Sequence, residues 1–133
     1  MISFRQFFKE SVKPTFSEKE PIFINGIGKY IAKVDTGNDA YCVLHGDDID
    51  INGEDVSFTT DSGKLIKTKL VDTITINVGA GVEEKRPIVL FDITLNGKSY
   101  QGVKFSIGNR KDNEEKVLLG LKFLKPLKAK IEL

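Results

Sequence analysis

Apolar and polar residues alternate with a period of two over much of the chain. Residues 70–78 show this most clearly, with Thr73, Ile74, Thr75 and Ile76 exchanging polar and apolar positions as on a half-buried strand. Residues 87–95 and 99–107 are two longer β-rich stretches. The pair between them, Asn96-Gly97, is a strong hairpin signal because both residues accept the positive φ of a two-residue turn. Shorter strands are predicted at 22–24, 30–34, 56–59, 117–119 and 129–133. Asn25-Gly26, the Asp61-Ser62-Gly63-Lys64 run and Gly79-Ala80-Gly81 interrupt them as turns. Residues 121–127 are expected to form one or two helical turns, stopped near Pro126. Many short strands with almost no long helix predict an all-β domain of closed, barrel-like form with a short C-terminal helix.

The first twenty residues differ. Ile2, Phe4, Phe7 and Phe8 fall on one face of a short amphipathic helix, with Ser11, Pro14 and Ser17 marking its end. The predicted organisation is therefore an N-terminal arm or leader, 1–20, followed by a β domain, 21–133. Phe8-Lys9-Glu10 resembles the apolar-x-Glu cleavage sites of tailed-phage head proteins, which implies a removable leader and a phage-encoded protein.

Composition narrows the function classes. The chain has 133 residues, 40% hydrophobic and 29% charged, enough for one core without disulfide or metal staples. Its net charge of +1 provides no global field for nucleic acid or an anionic membrane. Lys122, Lys125, Lys128 and Lys130 are spaced as a solvated face, so no nucleic-acid partner is expected. Cys42 is the only cysteine, and its neighbours Tyr41, Val43 and Leu44 mark it as a small buried hydrophobe rather than a nucleophile. No apolar run approaches the roughly twenty residues of a membrane span. These readings predict a soluble, cytoplasmic protein.

The candidate chemistry lies at Asp35-Thr36-Gly37, directly after a β-branched strand. Hydrolysing an amide with water needs a base to take a proton and an acid to protonate the reacting oxygen. Two facing carboxyls supply both, because like charges at that distance share one proton. Glycine lets the backbone approach where a Cβ would clash. Far downstream, Val117-Leu118-Leu119-Gly120 is followed by Phe123-Leu124.

The Asp-Thr-Gly and Leu-Leu-Gly elements, in that order and separated by hairpins, resemble the retropepsin-like aspartic peptidases over about residues 22–127. Lys33-Val34-Asp35-Thr36-Gly37, Val43-Leu44-His45, Lys85-Arg86-Pro87-Ile88, Gly108-Asn109-Arg110 and Leu118-Leu119-Gly120 are similar to the group associated with glutamate ligases and often labelled ATP-dependent zinc proteases. The resemblance implies a retropepsin-like closed β-barrel and a homodimer in which Asp35 is the acid/base. It also implies that Thr36 holds the two loops in register, that Gly37 faces substrate, and that Gly79, Ala80 and Gly81 form a substrate-binding flap. Glutamate-rich tails are the implied substrate class. No phosphate-binding glycine loop and no HExxH motif is present, so neither a metal nor a cofactor is expected. The run from Asp35 to His45 is one residue longer than the family's, with Asn38-Asp39 where an Ala-Arg-type pair is usual.

Three alternatives accompany this reading. Asp61-Ser62-Gly63 resembles a second aspartic-peptidase loop, but too few residues separate it from Asp35 for a bilobal enzyme, and it reads as a hairpin tip. His45 with Asp47, Asp48 and Asp50 resembles a metal cluster, and Asp48-x-Asp50-x-Asn52-Gly53 the first half of a calcium loop. Its twelfth position is Thr59 rather than Glu, so a solvated acidic loop is predicted. Finally, a non-catalytic β domain used for binding or assembly would need neither Asp35 nor a dimer.

Overall fold

A computed structural model of the chain describes residues 13–132. Its strands are β1 (Thr15–Phe16), β2 (Lys19–Ile24), β3 (Gly28–Val34), β4 (Cys42–His45), β5 (Asp47–Asn52), β6 (Asp55–Thr59), β7 (Leu65–Lys69), β8 (Asp72–Gly79), β9 (Val82–Leu95), β10 (Lys98–Gly108), β11 (Val117–Leu119) and β12 (Lys130–Ile131). Helix α1 (Leu121–Leu124) is one turn long. The all-β expectation holds. Among the described residues, no helix is long and apolar enough to cross a membrane.

The main sheet runs β10-β4-β11-β3-β2-β9-β8, and β10 also pairs with β9, so the pairings return to the strand where they began. Two of them are parallel, β3 with β11 and β4 with β10. Strands β5, β6 and β7 form a separate three-stranded sheet, and β1 pairs with β12. Both sheets share one core. Phe16, Phe58, Phe105, Leu44, Ile107 and Leu119 are fully buried, and Val56, Phe58 and Ile66 of the small sheet pack in the same cluster.

The period-two pattern determines which side chains enter that core. Along β2, Glu20, Ile22 and Ile24 are buried while Lys19, Pro21 and Phe23 face out. Glu20 is tolerated inside because its Oε1 accepts from the Ser17 N–H at 2.7 Å and from the Ser17 hydroxyl at 3.0 Å. Both long hairpins close on two-residue turns with positive φ. Asn96 and Gly97 lie at 53° and 73°, and Ala80 and Gly81 at 53° and 74°.

The structure departs from expectation in several places. The stretch read as an acidic loop is strand β5, with Ile49 packed on the core and Asp48 and Asp50 turned to solvent. Strands β4 and β7 were not predicted. The boundary expected at Pro21 falls inside β2, and Phe16 is a core residue. Among the described residues the last strand is Lys130–Ile131, paired with β1. The amphipathic helix expected around Ile2, Phe4, Phe7 and Phe8 and the Phe8-Lys9-Glu10 site lie outside the described residues.

Candidate active site

Strand β3 delivers Asp35 to the edge of the core. Val34 is buried and pairs with Leu119, and the next N–H, that of Asp35, donates to the Leu119 carbonyl at 3.0 Å. The chain then turns. Asn38 N–H donates to the Asp35 carbonyl at 3.3 Å, and Gly37 N–H donates to the Asp35 carboxylate at 3.1 Å. That second bond fixes the carboxylate over its own loop. A Cβ on Gly37 would stand 3.4 Å from the same carboxylate oxygen.

The Leu-Leu-Gly element clamps the loop from below. Leu121 N–H donates to the Asn38 carbonyl at 2.9 Å and Lys122 N–H to the Ala40 carbonyl at 3.0 Å. The free donors of the first turn of α1 are thus satisfied by the loop they support. Gly120 comes within 2.5 Å of the Tyr41 carbonyl, measured from where a Cβ would be, so only glycine fits. Cys42 is buried beside it. Burial pushes the Cys42 thiol up, against a weaker opposing hydrogen bond from the Gly120 backbone, which keeps it a neutral packing group.

A basic flank accompanies Asp35. Arg110 lies within electrostatic reach of both Asp35 and Arg86. Burial pushes the Arg110 guanidinium down; Glu115 opposes this, neighbouring Arg86 adds to it, and Asp35 opposes it least. Arg110 Nε donates to the Glu115 carbonyl at 3.0 Å. Arg86 is held by Glu84 at 3.3 Å and pressed against Gly108, where a Cβ would lie 2.5 Å from Arg86 Nε. That Nε is buried and has no hydrogen-bond partner.

His45 ties β4 to this flank. It is 2% exposed, its Nδ1 accepts from the Arg110 N–H at 2.8 Å, and its Nε2 donates to Asp47 at 2.9 Å. Accepting at Nδ1 assigns the proton to Nε2, the neutral tautomer. Among the described residues no group of three His, Cys, Asp or Glu side chains is placed to hold a metal ion.

Asp35, Thr36 and Gly37 therefore sit together, Asp35 half-buried and the other two exposed. Gly79, Ala80 and Gly81 belong to the β8–β9 hairpin, whose exposed tip stands in solvent between Val78 and Val82. The hairpin reaches the Asp35 flank through Arg86 on its β9 arm. Asp61-Ser62-Gly63 forms the β6–β7 turn, where Asp61 accepts from the Tyr30 hydroxyl at 2.9 Å. In the sequence Arg86 and Arg110 are marks of resemblance only, and His45 is also a member of a candidate metal cluster. Their meeting around Arg110 is not visible there, because they come from β9, the segment after β10 and β4.

The class this defines is an all-β domain carrying one aspartate loop locked between parallel strands. No family model matches the chain, and no curated protein matches it. Among solved structures it is similar to a crystal structure of a Legionella pneumophila subsp. pneumophila protein of unknown function (DUF785). The TM-score is 0.73 at 23% identity, over 91% of this chain and 94% of that one. At that identity the likeness defines the fold alone.

Proposed function

We propose that the chain is an aspartic-type peptidase that hydrolyses peptide bonds through two Asp35 carboxyls, one from each copy of a homodimer. The observation that carries this reading is the Gly37 N–H bond to the Asp35 carboxylate, on a loop held by Leu119 and Gly120. The bond itself is an Asx-turn of the kind also made by Asn77 and Asn109; what sets Asp35 apart is that its loop leaves β3 where Leu119 and the backbone after Gly120 hold it. The ring of pairings from β10 through β4, β11, β3, β2 and β9 supports a retropepsin-like closed barrel.

The exposed Thr36 and Gly37 are available to meet a second copy. One ionised Asp35 takes a proton from water as its oxygen attacks the peptide carbonyl carbon. The other, protonated, gives its proton to the carbonyl oxygen. The tetrahedral adduct collapses as its C–N bond breaks and the amine leaves with a proton from the dyad. The Gly79–Gly81 turn is the flap over an extended substrate bound as an added strand. Arg110 and Arg86 supply positive charge for the glutamate-rich tails that the resemblance implies. A dimer structure with the two Asp35 carboxyls within hydrogen-bonding reach is expected; a dimer holding them apart overturns the reading.

A further inference from the structure

Strands β10, β4 and β11 lie in that order, so the chain from β10 to β11 must cross the end of β4. Residues 109–116 make this crossing as an arch, and His45 is the last residue of the strand they cross. It grips the arch at both ends. Its backbone N–H donates to the Lys116 carbonyl at 2.8 Å, and its ring Nδ1 accepts from the Arg110 N–H at 2.8 Å. The arch is otherwise closed on itself. Lys116 Nζ donates to the carbonyls of Arg110 at 3.1 Å, Lys111 at 2.9 Å and Asn113 at 2.7 Å. A segment bonded in this way keeps its shape and swings as a unit when one hold on β4 is lost. The ring bond of His45 therefore sets where the Arg110 end of the arch rests.

That bond exists only for the neutral imidazole. Nε2 already donates to Asp47 at 2.9 Å, so a second proton must go to Nδ1. Nδ1–H then faces the Arg110 N–H, and two donors cannot share one contact. The second proton and the Arg110 bond exclude each other. The charged groups facing the ring are Asp47 and Asp48 of β5, Asp61 of the β6–β7 turn, and Lys111 and Lys116 of the arch, which line one cavity with it. Asp47 accepts from Nε2 in both protonation states and so anchors the buried ring. The arch is the part that yields.

We infer that His45 is a positioning residue: its neutral ring latches the 109–116 arch and holds Arg110 on the Asp35 flank, and a second proton on the ring releases both. Its bearing on the reaction rests on the peptidase reading, whereas the latch rests on the geometry alone. Two substitutions separate the two ring nitrogens. Asparagine places its carbonyl oxygen where Nδ1 stands and keeps the acceptor for Arg110. Glutamine places its amide where Nε2 stands and keeps only the contact with Asp47.

Hydrogen exchange of the Arg110 amide, read by NMR on the full chain as protection relative to the intrinsic rate, tests the latch. In the parent, protection is expected to fall by about tenfold or more as the His45 ring signals report the second proton. His45→Asn should stay protected across that range, and His45→Gln should be unprotected throughout. Protection in the parent that ignores the ring's titration overturns the latch, and that measurement needs no variant to fold. Protection retained in a folded His45→Gln overturns it as well. Cleavage of a synthetic glutamate-rich peptide at neutral pH tests the bearing on the reaction. KM is expected to rise about tenfold in His45→Gln with kcat kept, the worth of one charge-assisted hydrogen bond, and to return in His45→Asn. An unchanged KM in His45→Gln whose Arg110 amide is open overturns the positioning role. A parent that does not cleave the peptide overturns the peptidase reading instead, and the amide result then decides the latch by itself.

Discussion

Gly120 sits so close beneath Tyr41 that a Cβ would stand 2.5 Å from the Tyr41 carbonyl oxygen. The backbone after β11 and the loop carrying Asp35 thus share one contact in which neither can give way to a side chain. Gly120→Ala is expected to destabilise the fold by about 1–3 kcal/mol, the usual cost of overpacking against rigid neighbours. It should also lower activity by displacing Asn38 and Ala40. A denaturant titration reads the first effect, and an unchanged midpoint would show that the clamp is soft.

Replacing Asp35 by Asn keeps an oxygen for the Gly37 N–H but removes the proton carrier. Peptide cleavage should drop to background while stability stays within about 0.5 kcal/mol of the parent. Full cleavage by Asp35→Asn would eliminate the aspartic mechanism.

If each chain supplies half of the dyad, the rate per chain must fall on dilution as copies separate. Rate against pH should be bell-shaped, because raising pH removes the shared proton and lowering it leaves no base. Sedimentation and rate measurements over one dilution series check both claims. A monomer that cleaves undiminished would end the dyad hypothesis.

The Cys42 thiol should resist alkylation in the native protein, because burial disfavours its thiolate. Labelling should track unfolding. Rapid labelling under native conditions would mean that the loop beside Gly120 opens far more easily than its hydrogen bonds imply.

Glu115 offers a pH prediction of definite sign. The Lys19 ammonium, 3.0 Å away, holds its carboxyl below the ordinary range, chiefly by hydrogen bonding. A depressed folded value adds stability above the unfolded value of about 4.3, and that contribution is lost as pH falls through the folded value. Glu115→Gln should therefore be less stable than the parent at neutral pH and equal to it once both are strongly acidified. A stability difference that survives acidification would place the effect in packing instead.

Much of this architecture was legible from residues alone. The Thr-Ile alternation marks β8 and Asn96-Gly97 the β9–β10 turn, and the Asp-Thr-Gly and Leu-Leu-Gly motifs stand at the two segments that the clamp joins. The misses have physical causes. All four residues of β4 are buried, so no period marks it. In β5 the acidic residues obscure the two inward isoleucines, Ile49 and Ile51. The Arg86, Arg110 and His45 flank depends on strands meeting in space, which spacing along one chain does not encode.

The parallel pairing of β3 with β11 also dictates when the site can exist. Ala32 to Val34 must wait for Val117 to Leu119, and contacts this distant in sequence form late and slowly. During synthesis the aspartate leaves the ribosome long before the residues that aim it. The Asp35 loop therefore lacks its clamp until the C-terminal part is made, and a product truncated before Gly120 would carry Asp35 on an unsupported loop.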